Sequence, residues 1–469
     1  MAEQPRALLV DFGSTFTKLR VVDLDRGALL ASVQTPSTVG TSVMDGLRTG
    51  VNAISRELGV DNLDSYVKLA SSSAAGGLRI VAIGLVPDLT AEAARRAGLG
   101  AGGKIIASFA NGLTARNMAE LARLSPDMII LAGGTNGGDK DCIVGNARIL
   151  AAAHVSCPVV VAGNRNAEDE VAEILGEAAV TFSIVDNVLP SLNTIDIKGC
   201  SEAIRKLFME RIVQSKGLGE AEGYVGQILM PTPHAVLLGF ELLCRGTRSQ
   251  RGLGELVAVD VGGATTDVYS AARGAPTDCN TAVHGLLEPF LKRTVEGDLG
   301  LRINAPSIVA AVGSALKNHL DADIDVTSYA ERLTLDPSFL PDSKAARNAD
   351  LALARSAVRI ALRRHAGTLD LAHGPEGPFS VQTGKDLRGV RSLIGTGGIF
   401  VAHPNAAPTL FADGRYDPAN PRHLLPEAPA CMIDTNYVMY AVGLLAARAP
   451  EAALRLGLDS IGSVASPTH

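Results

Sequence analysis

The sequence predicts an α/β chain in which two related domains face each other across a cleft, with a further α/β module inserted in the first. Three observations predict it. Two apolar strands run into Asp and then turn through Gly and hydroxyl residues: Leu8-Leu9-Val10-Asp11-Phe12-Gly13-Ser14-Thr15-Phe16-Thr17-Lys18 and, far downstream, Leu256-Val257-Ala258-Val259-Asp260-Val261-Gly262-Gly263-Ala264-Thr265-Thr266-Asp267-Val268. A late strand, Arg391-Ser392-Leu393-Ile394, ends in Gly395-Thr396-Gly397-Gly398. Between the hairpins, residues 75–190 alternate continuous apolar strands with helices, the pattern of a parallel doubly wound sheet.

The elements follow in order. Strands are expected at 7–11, 18–23 and 28–34, with Asp25-Arg26-Gly27 as the turn between the last two, then a helix at 41–58 and a strand at 66–71. In the module, strands at 80–86, 104–109, 127–131, 158–162 and 181–185 alternate with helices at 90–97, 115–124, 143–153 and 166–175. Thr90 is the candidate N-cap of its helix and Gly98 the C-cap. Gly133–Asp139 forms a turn at a strand's carboxyl end, where open α/β sheets bind ligands. It has no GxGxxG and no P-loop Lys, and Asn111, Asn164 and Asn166 serve equally well as turn formers. Residues 191–250 read as helix, one starting at Thr232-Pro233-His234, where His234 reads as a first-turn residue rather than a ligand. Downstream, 265–270 is the return strand, 285–294, 307–320 and 345–371 are helices, and 321–341 is a lid-like or peripheral element. A strand at 430–434 precedes a helix at 436–448 carrying the small residues Ala441, Gly443, Ala446 and Ala447. The expected division is 1–74 and 191–253 for the first domain, 75–190 for the inserted module and 254–469 for the second domain.

Each hairpin has the chemistry of a phosphate clamp. Glycine lets backbone N–H groups approach phosphate oxygens, and hydroxyls add donors. An Asp accepts only, which suits a hydrated Mg²⁺. Asp11 and Asp260 are therefore the candidate catalytic and metal-binding pair. Gly13, Ser14, Thr15, Thr17 and Lys18 would hold terminal phosphates, Gly262, Gly263, Thr265 and Thr266 would form the opposing cradle, and Gly395, Gly397 and Gly398 would meet the nucleoside. Asp267 is either an acceptor for its own turn or a group behind the metal's water. Glu296 and Asp298 read as a solvated turn, and Arg302 as an extra phosphate contact.

The order and spacing of the three elements resemble the actin, sugar kinase and DnaK-type chaperone superfamily. That resemblance implies two actin-like (ribonuclease H-like) ATPase domains around a nucleotide cleft, with the Rossmann-like α/β module as an insertion. Ala264 departs from the three glycines frequent in the second phosphate loop, which is tolerable unless that position needs a positive φ. Four segments narrow the family: Asp11–Lys18, Ser71-Ser72-Ser73-Ala74-Ala75-Gly76-Gly77-Leu78, Leu131-Ala132-Gly133-Gly134-Thr135 and Thr294-Val295-Glu296-Gly297-Asp298-Leu299-Gly300. With these the chain resembles, nearly end to end, the accessory proteins of methylaspartate (glutamate) mutase, the MutL family, which is unrelated to the mismatch-repair protein of similar name. The resemblance implies ATP and Mg²⁺ as cofactors, ATP hydrolysis in the service of a chaperone role, and the subunits of an adenosylcobalamin-dependent mutase as partners, the role being reactivation; a homodimer is left open.

Composition bounds the rest. A chain of 469 residues is long enough for two or three domains. With aromatics at 4% and no Trp, aliphatic residues must fill the cores. A net charge of −6 without a basic stripe argues against nucleic acid. Six scattered cysteines without a CxxC pair read as reduced thiols, and no apolar run reaches the roughly 18 residues of a membrane span. A cytoplasmic protein is expected, with no membrane partner. Two other enzymes would use the same clamp: a small-molecule kinase, which needs a base near an acceptor group, and an ATP-dependent hydantoinase or oxoprolinase-type subunit. A nucleotide-binding scaffold without turnover is a third alternative. An activase with a bridging iron–sulfur cluster is disfavoured by the cysteine placement.

Overall fold

The computed structural model describes residues 5–13, 15–37, 42–73, 78–192, 194–215, 218–226, 228–313, 316, 324–375 and 377–463. The chain opens with three antiparallel strands, β1 (Arg6–Phe12), β2 (Phe16–Asp23) and β3 (Ala28–Pro36), then α1 (Val43–Leu58) and β4 (Val67–Ser72). Ser42 caps α1 by accepting from the Met44 N–H, and Gly59 ends it in the left-handed region that glycine adopts without penalty.

The module follows as β5 (Arg79–Gly84), α2 (Glu92–Gly100), β6 (Lys104–Ala110), α3 (Ala115–Leu124), β7 (Met128–Leu131), α4 (Asp141–Ala152), β8 (Val159–Val161), α5 (Glu168–Glu177) and β9 (Phe182–Ile184). Its strands are all parallel, in the order β6-β5-β7-β8-β9. The middle strands are apolar on both faces because helices cover both sides. Thr90 does not cap α2. It sits in a preceding turn and accepts from the Leu85 and Val86 amides, so α2 starts at Glu92.

The chain then forms α6 (Lys198–Ser215), α7 (Leu218–Val225), β10 (Ile228–Pro231) and α8 (Thr232–Arg245). Helix was expected throughout 191–250, but β10 pairs in parallel with β4 and completes the first sheet. Four residues with one Pro carry too little periodicity to reveal a strand whose partner lies some 160 positions upstream.

The second half contains β11 (Leu256–Val261), β12 (Thr266–Ala271), β13 (Thr281–His284), β14 (Leu291–Glu296), α9 (Ala305–Val312), α10 (Val326–Leu335), α11 (Lys344–His365), β15 (Thr368–Gly374), β16 (Gly377–Thr383), β17 (Ser392–Thr396), α12 (Gly398–Ala402), α13 (Ala407–Leu410), β18 (Ala430–Asp434), α14 (Met439–Leu445), α15 (Pro450–Ser460) and β19 (Ile461–Ser463). Two expectations are corrected here. Residues 285–294 are not a helix: Pro289 interrupts the run, and Leu291–Glu296 pairs antiparallel with β12 as the third strand of the sheet. The helix expected over 345–371 stops at His365. Gly367 then brings backbone against backbone, since a Cβ there would lie 2.7 Å from Gly384, and the chain continues as the β15–β16 hairpin. Within 321–341, α10 stands where a lid-like element was expected; residues 321–323 lie outside the described residues.

The two large sheets share one topology. Their orders are β3-β2-β1-β4-β10 and β14-β12-β11-β17-β18, the latter extended by β19. Numbered within each unit, both read 3-2-1-4-5, with the first three strands antiparallel and the last two parallel to the first. This is the ribonuclease H-like arrangement of actin-like ATPases, twice. One core lies under the first sheet and continues into the module, a second fills the later half, and a third joins the halves through α8 and α14. There Gly239 and Gly443 let the two helix backbones meet, since a Cβ on Gly443 would lie 1.7 Å from the Ala235 carbonyl oxygen. Among the described residues, no helix is long and apolar enough to cross a membrane.

Candidate functional site

The register of β1 and β2 sets Asp11 opposite Lys18, and Lys18 Nζ donates to Asp11 Oδ2 at 2.9 Å. Asp11 is fully buried. Its Oδ1 accepts from Ser71 Oγ at the end of β4 (3.3 Å) and from Thr232 Oγ1 at the start of α8. Burial would lower the Lys18 pKa, but Asp11, joined by Tyr437 and Asp260, outweighs it and the ammonium is held well above its ordinary value. Gly13 closes the turn by donating to the Phe16 carbonyl at 3.0 Å, an approach that leaves no room for a Cβ. Thr15 is exposed at the tip. Ser14 lies outside the described residues. Thr17 points to the opposite face from Lys18, toward Gly46 of α1, and its Oγ1 has no partner among the described residues. The structure therefore brings Lys18, but not Thr17, to the Asp11 side.

In the second hairpin, Asp260 stands at the end of β11 beside Asp267 of β12. Its Oδ1 is buried without a hydrogen-bond partner among the described residues. Burial first, then the charge of Asp267, pushes this carboxyl up to about 7, while Lys18 pulls it back down. Gly262 N–H donates to Thr265 O at 2.9 Å to close the turn. The carbonyls of Gly262 and Gly263 accept from Leu301, Arg302 and Ile303, so residues 301–303 brace the loop from behind. Thr265 Oγ1 donates to Asp267 Oδ2 (2.9 Å) and Thr266 Oγ1 to Leu299 O (2.7 Å), so both hydroxyls stiffen the hairpin itself. Ala264 is not among the residues with positive φ, so its methyl is unstrained.

The third element meets the second directly. Gly397 has φ +101°, and a Cβ there would lie 2.5 Å from Val261 O and 2.9 Å from Asp260 Oδ1. Gly398 opens α12 with open space around its Cα. Gly395 is buried within β17 under the Phe400 ring, so it packs the core rather than lining the cleft.

Several further residues belong to this region. Asp434 ends β18, is buried, and accepts from the Val438 and Met439 amides, Ser460 Oγ and Thr396 Oγ1, while burial raises its pKa against those bonds. Tyr437 places its ring over Lys18 Nζ, 4.3 Å from the centroid. Arg293 donates twice to Asp267 (2.6 and 3.0 Å) and also to the Leu99 and Gly103 carbonyls of the module. Ser71 and Thr232 carried a recognisable signal, each being a hydroxyl at a strand end or helix start. Arg293 and Tyr437 carried none, because their partners come from distant elements.

The other singled-out residues have partners as well. Asp267 serves its own turn and Arg293. Arg302, expected as an extra phosphate contact, is held by the buried Asp350 at 2.8 Å. Glu296 and Asp298 both grip Arg364. His234 donates from Nδ1 to Gly100 O at 3.0 Å, and burial pushes its pKa down to about 4. In the module, Asn164 accepts from Gly137 N–H and donates to Gly138 O and Asp139 O, and so holds the Gly133–Asp139 turn closed.

The donor set fits Mg²⁺ better than a soft metal. Asp260 offers a buried, unpartnered carboxylate oxygen, whereas both oxygens of Asp11 are already engaged. Among the described residues, no group of three His, Cys, Asp or Glu converges. One or two carboxylates, water and phosphate are the usual Mg²⁺ set.

A model of the MutL protein family matches residues 7–461. The chain is 42% identical over 451 residues to "Protein MutL" of Clostridium tetanomorphum, covering 96% of this chain and 97% of that protein. Among solved structures it is similar to gluconate kinase from Lactobacillus acidophilus (10% identity, TM-score 0.34, 97% of this chain and 89% of that one). It is also similar to xylulose kinase from Bifidobacterium adolescentis (12%, TM-score 0.33, 96% and 93%). A third is the ethanolamine utilization protein EutJ from Carboxydothermus hydrogenoformans (10%, TM-score 0.30, 97% and 90%). The fold assignment rests on the two 3-2-1-4-5 sheets rather than on these distant likenesses.

Proposed function

The chain belongs to the MutL protein family, the accessory family of glutamate mutase, and we propose that it is an ATP-dependent reactivating chaperone for that adenosylcobalamin-dependent enzyme. The observation that supports the nucleotide reading is the pair of matching hairpins: Asp11 and Asp260 stand at equivalent strand ends of two equivalent sheets, and both carboxylates act on the Lys18 ammonium.

In this reading Asp260 would hold hydrated Mg²⁺ through its free oxygen, and Gly263 would present its backbone N–H to phosphate while the Gly262 N–H closes the turn onto Thr265 O. Bound Mg²⁺ supplies charge neutralisation of the phosphates and orders the water around them. Asp11 keeps Lys18 charged and aligned with Ser71 and Thr232, which ties the phosphate site to the start of α8. Gly397 sets the nucleoside turn against Asp260. Hydrolysis breaks the terminal phosphoanhydride with water, giving ADP and phosphate, and removes the ligand that favours the closed clamp. The halves then rotate about the α8–α14 crossing. ATP drives such a cycle only if it binds one arrangement more tightly.

Residues 1–74 and 191–253 would move as one domain and 254–469 as the other. Module 75–190 would offer the mutase a surface. Arg293, which joins Asp267 to the module, gives that surface a route to the nucleotide.

The test is recovery of glutamate mutase blocked by cobalamin that has lost its adenosyl group. Adenosylcobalamin, Mg-ATP and this protein together should restore activity, and Asp260→Ala should not. Restoration without nucleotide would refute the proposal.

A further inference from the structure

The Lys18 ammonium is enclosed on several sides. Its side chain is 13% exposed. Asp11 takes the ammonium on one side, and the rings of Tyr437 and Tyr440 lie 4.3 and 5.9 Å from it. Tyr440 belongs to α14 and packs in the core, with its hydroxyl on the Lys18 carbonyl at 3.4 Å. Tyr437 is different. It is half-buried, lies in the turn between β18 and α14, and has φ +52°, a conformation unusual for an aromatic residue.

That turn is gripped from both halves of the chain. Within its own half, Asn436 N–H donates to Ser460 Oγ at 3.0 Å and Thr435 N–H to Ser460 O at 2.9 Å. From the other half, Arg20 reaches over and donates to the Asn436 carbonyl at 3.2 and 3.4 Å. Arg20 and Lys18 alternate on one face of β2, so a single strand holds the turn's backbone and lies under its aromatic ring. A strained residue held by surrounding contacts points from geometry to function, because the strain is released when the contacts change.

We propose that Tyr437 is a displaceable cover over Lys18, which the terminal phosphates of a nucleoside triphosphate must dislodge before they reach the ammonium. This rests on the cleft being a nucleotide site. The ring stabilises Lys18 through a cation–π contact in a desolvated setting, and an incoming phosphate replaces that contact with a full negative charge. Binding then includes a movement of the turn that Arg20 holds, so phosphate arrival and the relative position of the two halves are linked through Asn436 and Tyr437.

The experiment measures association of a fluorescent ATP analogue, mant-ATP, with Mg²⁺ and the full chain by stopped flow. Tyr437→Gly removes the ring and suits the positive φ; Tyr437→Asn also tolerates it and serves if the glycine variant fails to fold. Both should associate about thirtyfold faster than wild type, the factor expected for the loss of one desolvated cation–π contact. Tyr437→Phe, which keeps the ring, should associate at the wild-type rate. Association rates that are equal or slower without the ring would overturn the cover and leave the nucleotide site standing. Binding lost in the glycine and asparagine variants at unchanged thermal midpoints would make the ring part of the site, and would also overturn it. If wild type binds no mant-ATP, both the cover and the nucleotide reading fall.

Discussion

Gly397 and Asp260 are in such close contact that one constrains the other: a Cβ on Gly397 would lie 2.9 Å from Asp260 Oδ1 and 2.5 Å from the Val261 carbonyl oxygen. Its φ of +101° excludes a side chain on conformational grounds as well. Gly397→Ala should therefore lower the thermal midpoint by several degrees and abolish Mg-ATP binding. Gly398→Ala, one residue on and with open space around it, should leave the midpoint within a degree or two. Differential scanning calorimetry of the two variants side by side checks this.

The buried Lys18–Asp11 pair gives a second prediction. Removing one member of a buried pair costs about 3–5 kcal/mol, because a charge is left without compensation. Lys18→Met should fall at the low end, since Ser71 and Thr232 still donate to Asp11. Asp11→Asn/Lys18→Met should be less destabilised than the sum of its single variants by about 0.5–3 kcal/mol. Urea unfolding of the four proteins measures the coupling; strict additivity would show that the pair contributes nothing.

Asp260 is placed for binding at the expense of stability. Its carboxyl is pushed from 3.8 to about 7, so between those values the folded chain keeps a proton that the unfolded chain has released. The folded state binds more protons there, and stability falls as pH rises through the window. Asp260→Asn removes this liability. With divalent ions chelated, the variant should melt above wild type at pH 8 by roughly 2–4 °C, and the gap should close toward pH 4. A variant that melts lower at pH 8 would show that the carboxylate has a partner after all.

His234 works in the other direction. Burial, helped by Arg205, lowers its pKa from 6.5 to about 4, so in that window the unfolded chain takes up a proton that the folded chain refuses. Stability is then lost as pH falls from about 6.5 to 4. His234→Gln should flatten the acid side of the thermal midpoint profile in this range. The difference between variant and wild type should move in the variant's favour on acidification.

The sequence made the paired hairpins, the late glycine turn and the parallel module legible, because each is local: an apolar strand, an Asp and a turn within about a dozen residues. It did not reveal β10, β14 or the β15–β16 hairpin. Their identity is decided by partners elsewhere, as when β14 takes its place beside β12 although its residues also fit a helix. The same divide runs through the site. Lys18 pairs with Asp11 inside the first hairpin, and Gly397 of the late glycine turn lies against Asp260 of the second. Thr17 was misjudged because a strand alternates its faces, and Gly395 because Phe400 folds back over it. Tyr437, Arg20 and Arg293 reach the site from strands and turns whose proximity only the tertiary fold creates.

The most direct test of the clamp is a calorimetric titration of the full chain with ATP, with and without Mg²⁺. The account predicts one ATP bound per chain, dependent on Mg²⁺, with affinity lost in Asp260→Asn even though that variant is the more stable protein at pH 8. ATP binding of wild-type strength by Asp260→Asn, or no binding by wild type, would contradict it.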